Sequence, residues 1–223
     1  MEIEKKIIRV LLYLILAFFT YLMVKITLPY LAFADNVAFL RIKRTAREIP
    51  IWKVSFYIHV FTSVFLLLAG FTQFSAAFLK NYRKWHRGLG KMYVIIILFL
   101  SGPAGFVMAL LANGGNTSKV AFTVLTISWL FTTYMAWKTA LNKKFSEHRE
   151  WMYRSYALTL SALTLRAWKW LLVLLFAPPP MDLYRIVAWL GFVPNLIVAE
   201  WLIRRMQREK IVNEPKYKIT NNQ

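Results

Sequence analysis

The chain contains no cysteine, and only three histidines stand among its 223 residues. The missing thiols exclude disulfides, thiolate metal sites, iron–sulfur clusters and covalent haem attachment. Any metal or cofactor would rest on histidine, carboxylate, methionine or backbone oxygen. Acidic residues are also scarce, 10 against 29 Lys and Arg, which leaves a formal net charge of +19. No carboxylate cluster and no nucleophile–base pair stands out. No zinc-finger spacing is present, nor a basic stripe interleaved with aromatics on a soluble module, so nucleic acid is excluded as the main partner. No ten-residue alternation suggests a membrane barrel, and no tract is low in complexity.

What remains is apolar. Hydrophobic residues make up 58% of the chain and the mean hydropathy is +0.46, which excludes a disordered chain and an ordinary soluble domain. A spanning helix needs roughly 20 apolar residues, and six runs qualify, at about 7–33, 51–79, 92–112, 119–141, 152–177 and 181–203. Lipid offers no partner to an open strand edge, so the fold is all-α. The expected architecture is a polytopic helical bundle of about six spans around a four-helix core formed by spans 2–5. Residues 1–203 form one transmembrane domain with its core at 51–177, and residues 204–223 form a basic tail.

Basic residues cluster at span ends and fix the orientation. With both termini cytoplasmic, the inner segments hold Lys80, Arg83, Lys84, Arg87 and Lys91, then Lys138, Lys143, Lys144, Arg149 and Arg154, then Arg204, Arg205 and Arg208. This points to the inner (cytoplasmic) membrane, with anionic lipid headgroups as the partners of the charge. A membrane-protein partner is a further expectation. The first connection conflicts with the rule, since it carries Arg41, Lys43, Arg44, Arg47 and Lys53; it reads as a basic segment at the outer interface. Ala32-Phe33-Ala34 resembles a signal cleavage site, but the run from Ile7 to Val24 is long for a signal core and reads as an uncleaved span.

Several spans carry polar or small residues at steps of three and four, the spacing of one helix face. His148, Met152, Ser155, Thr159, Ala162 and Arg166 form one such stripe; His59, Ser63, Leu66, Gly70 and Gln73 form a second; Thr126, Trp129, Thr133 and Trp137 a third. Such faces belong at helix–helix contacts. His59 lies about eight residues inside the start of span 2 and Arg166 about eleven inside the end of span 5, similar depths at roughly 1.5 Å per residue. An unpaired intramembrane arginine costs at least about 2.5–3.5 kcal/mol. Glu200, near the inner end of span 6, is too far along the bilayer to be its obvious partner. Two readings of Arg166 stay open: a ligand-binding cation with His59, Gln73, Arg154, Ser155 and Thr159, or a structural residue bonded to backbone carbonyls near Ser101-Gly102-Pro103-Ala104-Gly105.

A weak internal repeat relates RKWHRGLGKMY (83–93) to SEHREWMYRSY (146–156). Each has a His-Arg pair at the mouth of a span, as in a duplicated hairpin. The repeat brings His86 and His148 to one surface, where they could ligate a metal or haem b with Arg87 and Arg149 near its propionates. The bland alternative is helix capping and lipid-phosphate contact.

The runs Tyr57-Ile58-His59, Gly70-Phe71-Thr72-Gln73-Phe74, His86-Arg87-Gly88-Leu89-Gly90-Lys91-Met92-Tyr93, His148-Arg149-Glu150-Trp151-Met152-Tyr153-Arg154-Ser155-Tyr156-Ala157-Leu158-Thr159, Thr164-Leu165-Arg166 and Pro194-Asn195-Leu196 resemble the bacterial integral membrane protein family designated domain of unknown function 2306. The resemblance covers about residues 50–205. It implies a multi-helix membrane protein in which His59, Gln73, His86, His148, Arg154 and Arg166 belong to the family pattern, and it brings no reaction with it. Three functions therefore stand side by side. They are a haem b electron-transfer protein on His86 and His148, a non-catalytic membrane subunit or scaffold, and a lipid, quinone or small-anion binding protein or transporter using Arg166 and His59.

Overall fold

The computed structural model describes residues 2–213; the end of the basic tail, with Lys216 and Lys218, lies outside them. Among the described residues all regular structure is helical. The helices are α1 (Glu2–Thr27), α2 (Pro50–Thr72), α3 (Arg83–Leu110), α4 (Gly115–Leu141), α5 (Phe145–Thr159), α6 (Ser161–Phe176), α7 (Pro180–Leu190) and α8 (Val193–Asn213). Five stretches are long and apolar enough to cross a membrane, and six if α5 and α6 are one bent span. The chain is a polytopic all-α bundle. Helices α2 to α5 pack against one another as its centre, α7 and α8 pack on α4, α5 and α6, and α1 lies against α2 and α6.

Local chemistry explains the irregular points. Pro50 opens α2, where a missing N–H costs nothing. Helix α3 widens into a π-helical stretch at Ile96–Ser101 just before Gly102-Pro103, since proline cannot donate to the preceding turn. The fifth span bends by 42° between α5 and α6 although it contains no proline. The cause comes from another helix. Asn195 Nδ2 donates to Ala157 O at 3.0 Å, the carbonyl that the Ser161 N–H would reach in a continuous helix, and also to Thr164 Oγ1 at 3.0 Å and Gly191 O at 3.1 Å. Thr164 Oγ1 donates to Gly191 O as well, at 2.5 Å. A side chain inserted into the ladder is a recognised source of a kink. The knot ties the bend to the break between α7 and α8, and so sets the direction of α6.

The connection between α1 and α2 is built from short helical turns at Leu28–Ala32, Ala38–Ile42 and Arg44–Arg47. It packs on the start of α2 through Tyr30, Leu40, Ala46, Trp52 and Phe56. Among its charges, which conflict with the orientation rule, Lys43, Arg47 and Lys53 have partners within the fold. Lys53 pairs with Asp35 at 2.6 Å, and Arg47 donates to Asp35 O at 2.8 Å. Lys43 is buried, 4% exposed, and donates from Nζ to Leu111 O at 2.7 Å, close to the carbonyl end of α3.

Candidate functional site

A cavity of about 210 Å³ lies inside the half of the bundle that carries this connection. Three basic side chains line it, Lys43 from the connection, His59 from α2 and Arg166 from α6, and no Asp or Glu does. The rest of its wall is apolar and aromatic, including Phe39, Trp52, Phe122, Leu125 and Trp129. Sites for drug-sized ligands run to about 300–1,000 Å³, so the contents are a small molecule or the head of a longer one.

Each of the three is held by backbone oxygen. His59 Nδ1 lies 2.8 Å from Ser101 O, and a carbonyl only accepts, so Nδ1 carries the proton and Nε2 is left as the ring's other face. The ring can come this close because residue 105 is glycine: a Cβ there would stand 3.0 Å from Nδ1. Arg166 Nη1 donates to Ala162 O, one turn back in α6, at 2.6 Å. The Ser101–Gly105 segment thus supplies a carbonyl to His59, while Arg166 uses its own helix. The charge of Arg166 reaches His59. Burial, reinforced by Lys119, pushes the Lys43 ammonium down to about 8; its Nζ also sits 5.7 Å from the Phe39 ring and 5.8 Å from that of Trp52.

The neutral polar groups of the wall are already committed. Thr126 donates to Phe122 O at 2.8 Å, and Ser63 to Val60 O at 3.4 Å. The floor is a buried hydroxyl network joining α3, α4 and α5. Thr159 donates to Ser155 O at 3.1 Å and accepts from Trp129 Nε1 at 3.0 Å. Tyr93 OH lies 2.8 Å from Thr159 Oγ1 and 2.9 Å from Ser155 Oγ. Thr133 Oγ1 closes the network, 2.7 Å from both Ser155 Oγ and Trp129 O. Lys43 and Arg166 each have further N–H groups beyond the one bonded to a backbone carbonyl. Trp52, in the same wall, adds a buried indole N–H with no acceptor, an uncommon state for a buried donor.

The stripes place their residues unevenly around this site. His59, Thr159 and Arg166 line the cavity. Ser155 lies beneath it in the hydroxyl network. Gln73 caps α2 at the other end of the bundle beside Gly90. Arg154 is also away from the cavity; its guanidinium bonds Glu200 through Nε at 2.5 Å and Nη2 at 3.0 Å and covers the Trp151 ring at 4.6 Å. Sequence reasoning missed Lys43 and Tyr93 as parts of the site. Tyr93 carried a signal, since it stands one helical spacing inside the His86 motif.

His86 and His148 both sit in the first turns of their helices, near enough for charge on one to act on the other. His148 Nδ1 donates to Ala136 O at 2.7 Å, while His86 Nδ1 is buried with no partner. Arg87 and Arg149 are exposed. Neither histidine lines either of the two cavities described, and no cluster of three metal-ligating side chains occurs among the described residues.

These positions can be set against known proteins. A family model described as "Predicted membrane protein (DUF2306)" matches residues 56–203. The chain belongs to this family. His59, Arg166 and the whole hydroxyl network fall inside the matched region, whereas α1 and Lys43 precede it. No curated protein and no solved structure matches the chain.

Proposed function

We propose that the protein is a membrane receptor site for a small molecule bearing a negative charge, held between Arg166 and His59 with Lys43 at the rim. The observation that carries this reading is a cavity lined by the Arg166 guanidinium and two further basic side chains, Lys43 and His59, with no carboxylate. In an apolar medium an uncompensated guanidinium is costly, and an anion placed beside it gains far more than in water. Arg166 still has N–H groups to offer a carboxylate in the paired geometry that guanidinium favours. We place both termini in the cytoplasm of a cell bounded by an inner membrane, with the cavity in the outer half, because Arg87, Arg149 and their basic neighbours then meet anionic headgroups. Native mass spectrometry of the purified protein tests the reading. A small acidic species carried by the wild type and absent from Arg166→Leu supports it; its retention in the variant refutes it.

A second reading keeps haem b on His86 and His148. It is favoured by the Nδ1–H bond of His148 to Ala136 O, which leaves Nε2 as the ligand nitrogen. Against it, neither described cavity reaches the pair. An absorption spectrum decides: a Soret band lost in both His86→Ala and His148→Ala supports haem, and its absence after expression with added haem removes it.

A further inference from the structure

A second, narrow cavity lies beside the first. Phe19, Leu22 and Ile26 of α1 and Leu163 and Trp170 of α6 line it. Met23 and Arg166 line both cavities, so the guanidinium stands where a charged chamber meets an apolar seam. Little space is open along the seam, about 10 Å³. Its α1 wall, however, belongs to the least buried span, 12% against 28–33% in the other four unbent ones. Leu11, Leu14, Ile15 and Phe18 of α1 are more than half exposed, as lipid-facing residues are. α1 meets the rest through a small apolar cluster around Met23, Leu67 and Leu163 and through Tyr13 stacked on Phe71, ring centres 6.1 Å apart.

Resting on the proposed anion site, we infer that the ligand is a single-chain amphipath with a carboxylate head, a fatty-acid-like molecule, whose tail lies in the α1–α6 seam and which reaches the cavity from the bilayer. The argument is one of continuity and size. The chamber has room for about seven waters, enough for a carboxylate and its first carbons, but not for a glycerophosphate carrying two chains. The seam is lined by apolar side chains alone apart from Arg166, so it suits one alkyl chain. The head would sit on Arg166 and His59, and α1 would move aside to admit the tail.

The test compares dodecanoate, butyrate and dodecanol on the full-length protein in nanodiscs of zwitterionic lipid, by displacement of a spin-labelled long-chain carboxylate. Dodecanol partitions into the same bilayer without a charge. The inference predicts that dodecanoate displaces the probe at least about tenfold more effectively than either of the others, and that Arg166→Leu abolishes the advantage over dodecanol. Equal action of butyrate and dodecanoate overturns the tail seam and leaves the anion site standing. Equal action of dodecanol and dodecanoate overturns the anion site itself, and failure of the probe to bind overturns the carboxylate class. Access is tested separately in Leu22→Cys/Trp170→Cys, the only thiols in an otherwise cysteine-free chain. Joining them with a thiol-cleavable cross-linker should slow probe exchange at least about tenfold, with full recovery on cleavage; unchanged exchange in the cross-linked protein overturns access through the seam.

Discussion

Two arginines of the fifth span, Arg154 and Arg166, have opposite surroundings, and only Arg166 stands on the polar stripe. Arg154 has both a carboxylate and an aromatic face: Glu200 bonds it through two nitrogens, and Trp151 lies under its guanidinium. Arg166 has one backbone carbonyl, and the cavity it lines has no carboxylate in its wall. The pair teaches how a membrane bundle separates a structural cation from one kept for a ligand. The first is neutralised by the fold. The second is left for something else to neutralise, at a cost that the rest of the structure carries.

The comparison can be broken at either arginine. Arg166→Leu should lower ligand binding by about 100-fold or more, since a hydrogen-bonded charge contributes roughly 1.5–3 kcal/mol and its loss removes the anchor. Its thermal stability without ligand should be equal to or above that of the wild type, because a costly cation has gone. Glu200→Leu should do the reverse. It strands Arg154 and should lower stability by about 2 kcal/mol, under the 3–5 kcal/mol of a fully buried pair because both side chains are partly exposed; binding in the distant cavity should survive.

Asn195→Leu tests what separates the two arginines. Ala157 O loses its partner at the bend, for a cost of about 1–2 kcal/mol. The direction of α6 changes with it, so binding should weaken although residue 195 does not line the cavity. Gly105→Ala is milder. The new Cβ would press on His59 Nδ1 at 3.0 Å, loosening the bond to Ser101 O, and should reduce binding several-fold with a stability change of about 1 kcal/mol or less. The smallest effect concerns pH. Lys43 is charged below about 8 and neutral above it, so affinity for an anion should be full below that value and fall a few-fold as pH rises through it. Lys43→Met should flatten that step. Binding titrations between pH 6.5 and 9.5 read both.

Much of the scaffold was legible in the sequence. Apolar runs and the poverty of acidic residues lead to a polytopic all-α bundle, and the steps of three and four find the inward faces: Thr126, Trp129, Thr133, Ser155 and Thr159 are all buried. The site was legible only in part, because a stripe gives a direction around a helix and no height along it. His59 and Gln73 share a face yet lie fourteen residues apart, roughly 21 Å along the axis, and only the first reaches the cavity. The bend at Leu160 was hidden because its cause, Asn195, lies 38 positions beyond the carbonyl it takes. Lys43 was hidden for the same kind of reason. Its partner carbonyl is 68 positions away, so its charge read as part of an interfacial segment and as an exception to the orientation rule.

The central claim is that Arg166 is held for a ligand and Arg154 for the fold. Native mass spectra and melting curves of the wild type, Arg166→Leu and Glu200→Leu, taken in one detergent, test it most directly. The account predicts that Arg166→Leu loses the bound acidic species and, compared with ligand-free wild type, keeps its melting temperature. Glu200→Leu should keep the species and melt lower. An Arg166→Leu protein that melts well below ligand-free wild type, with its bound species unchanged, would contradict it.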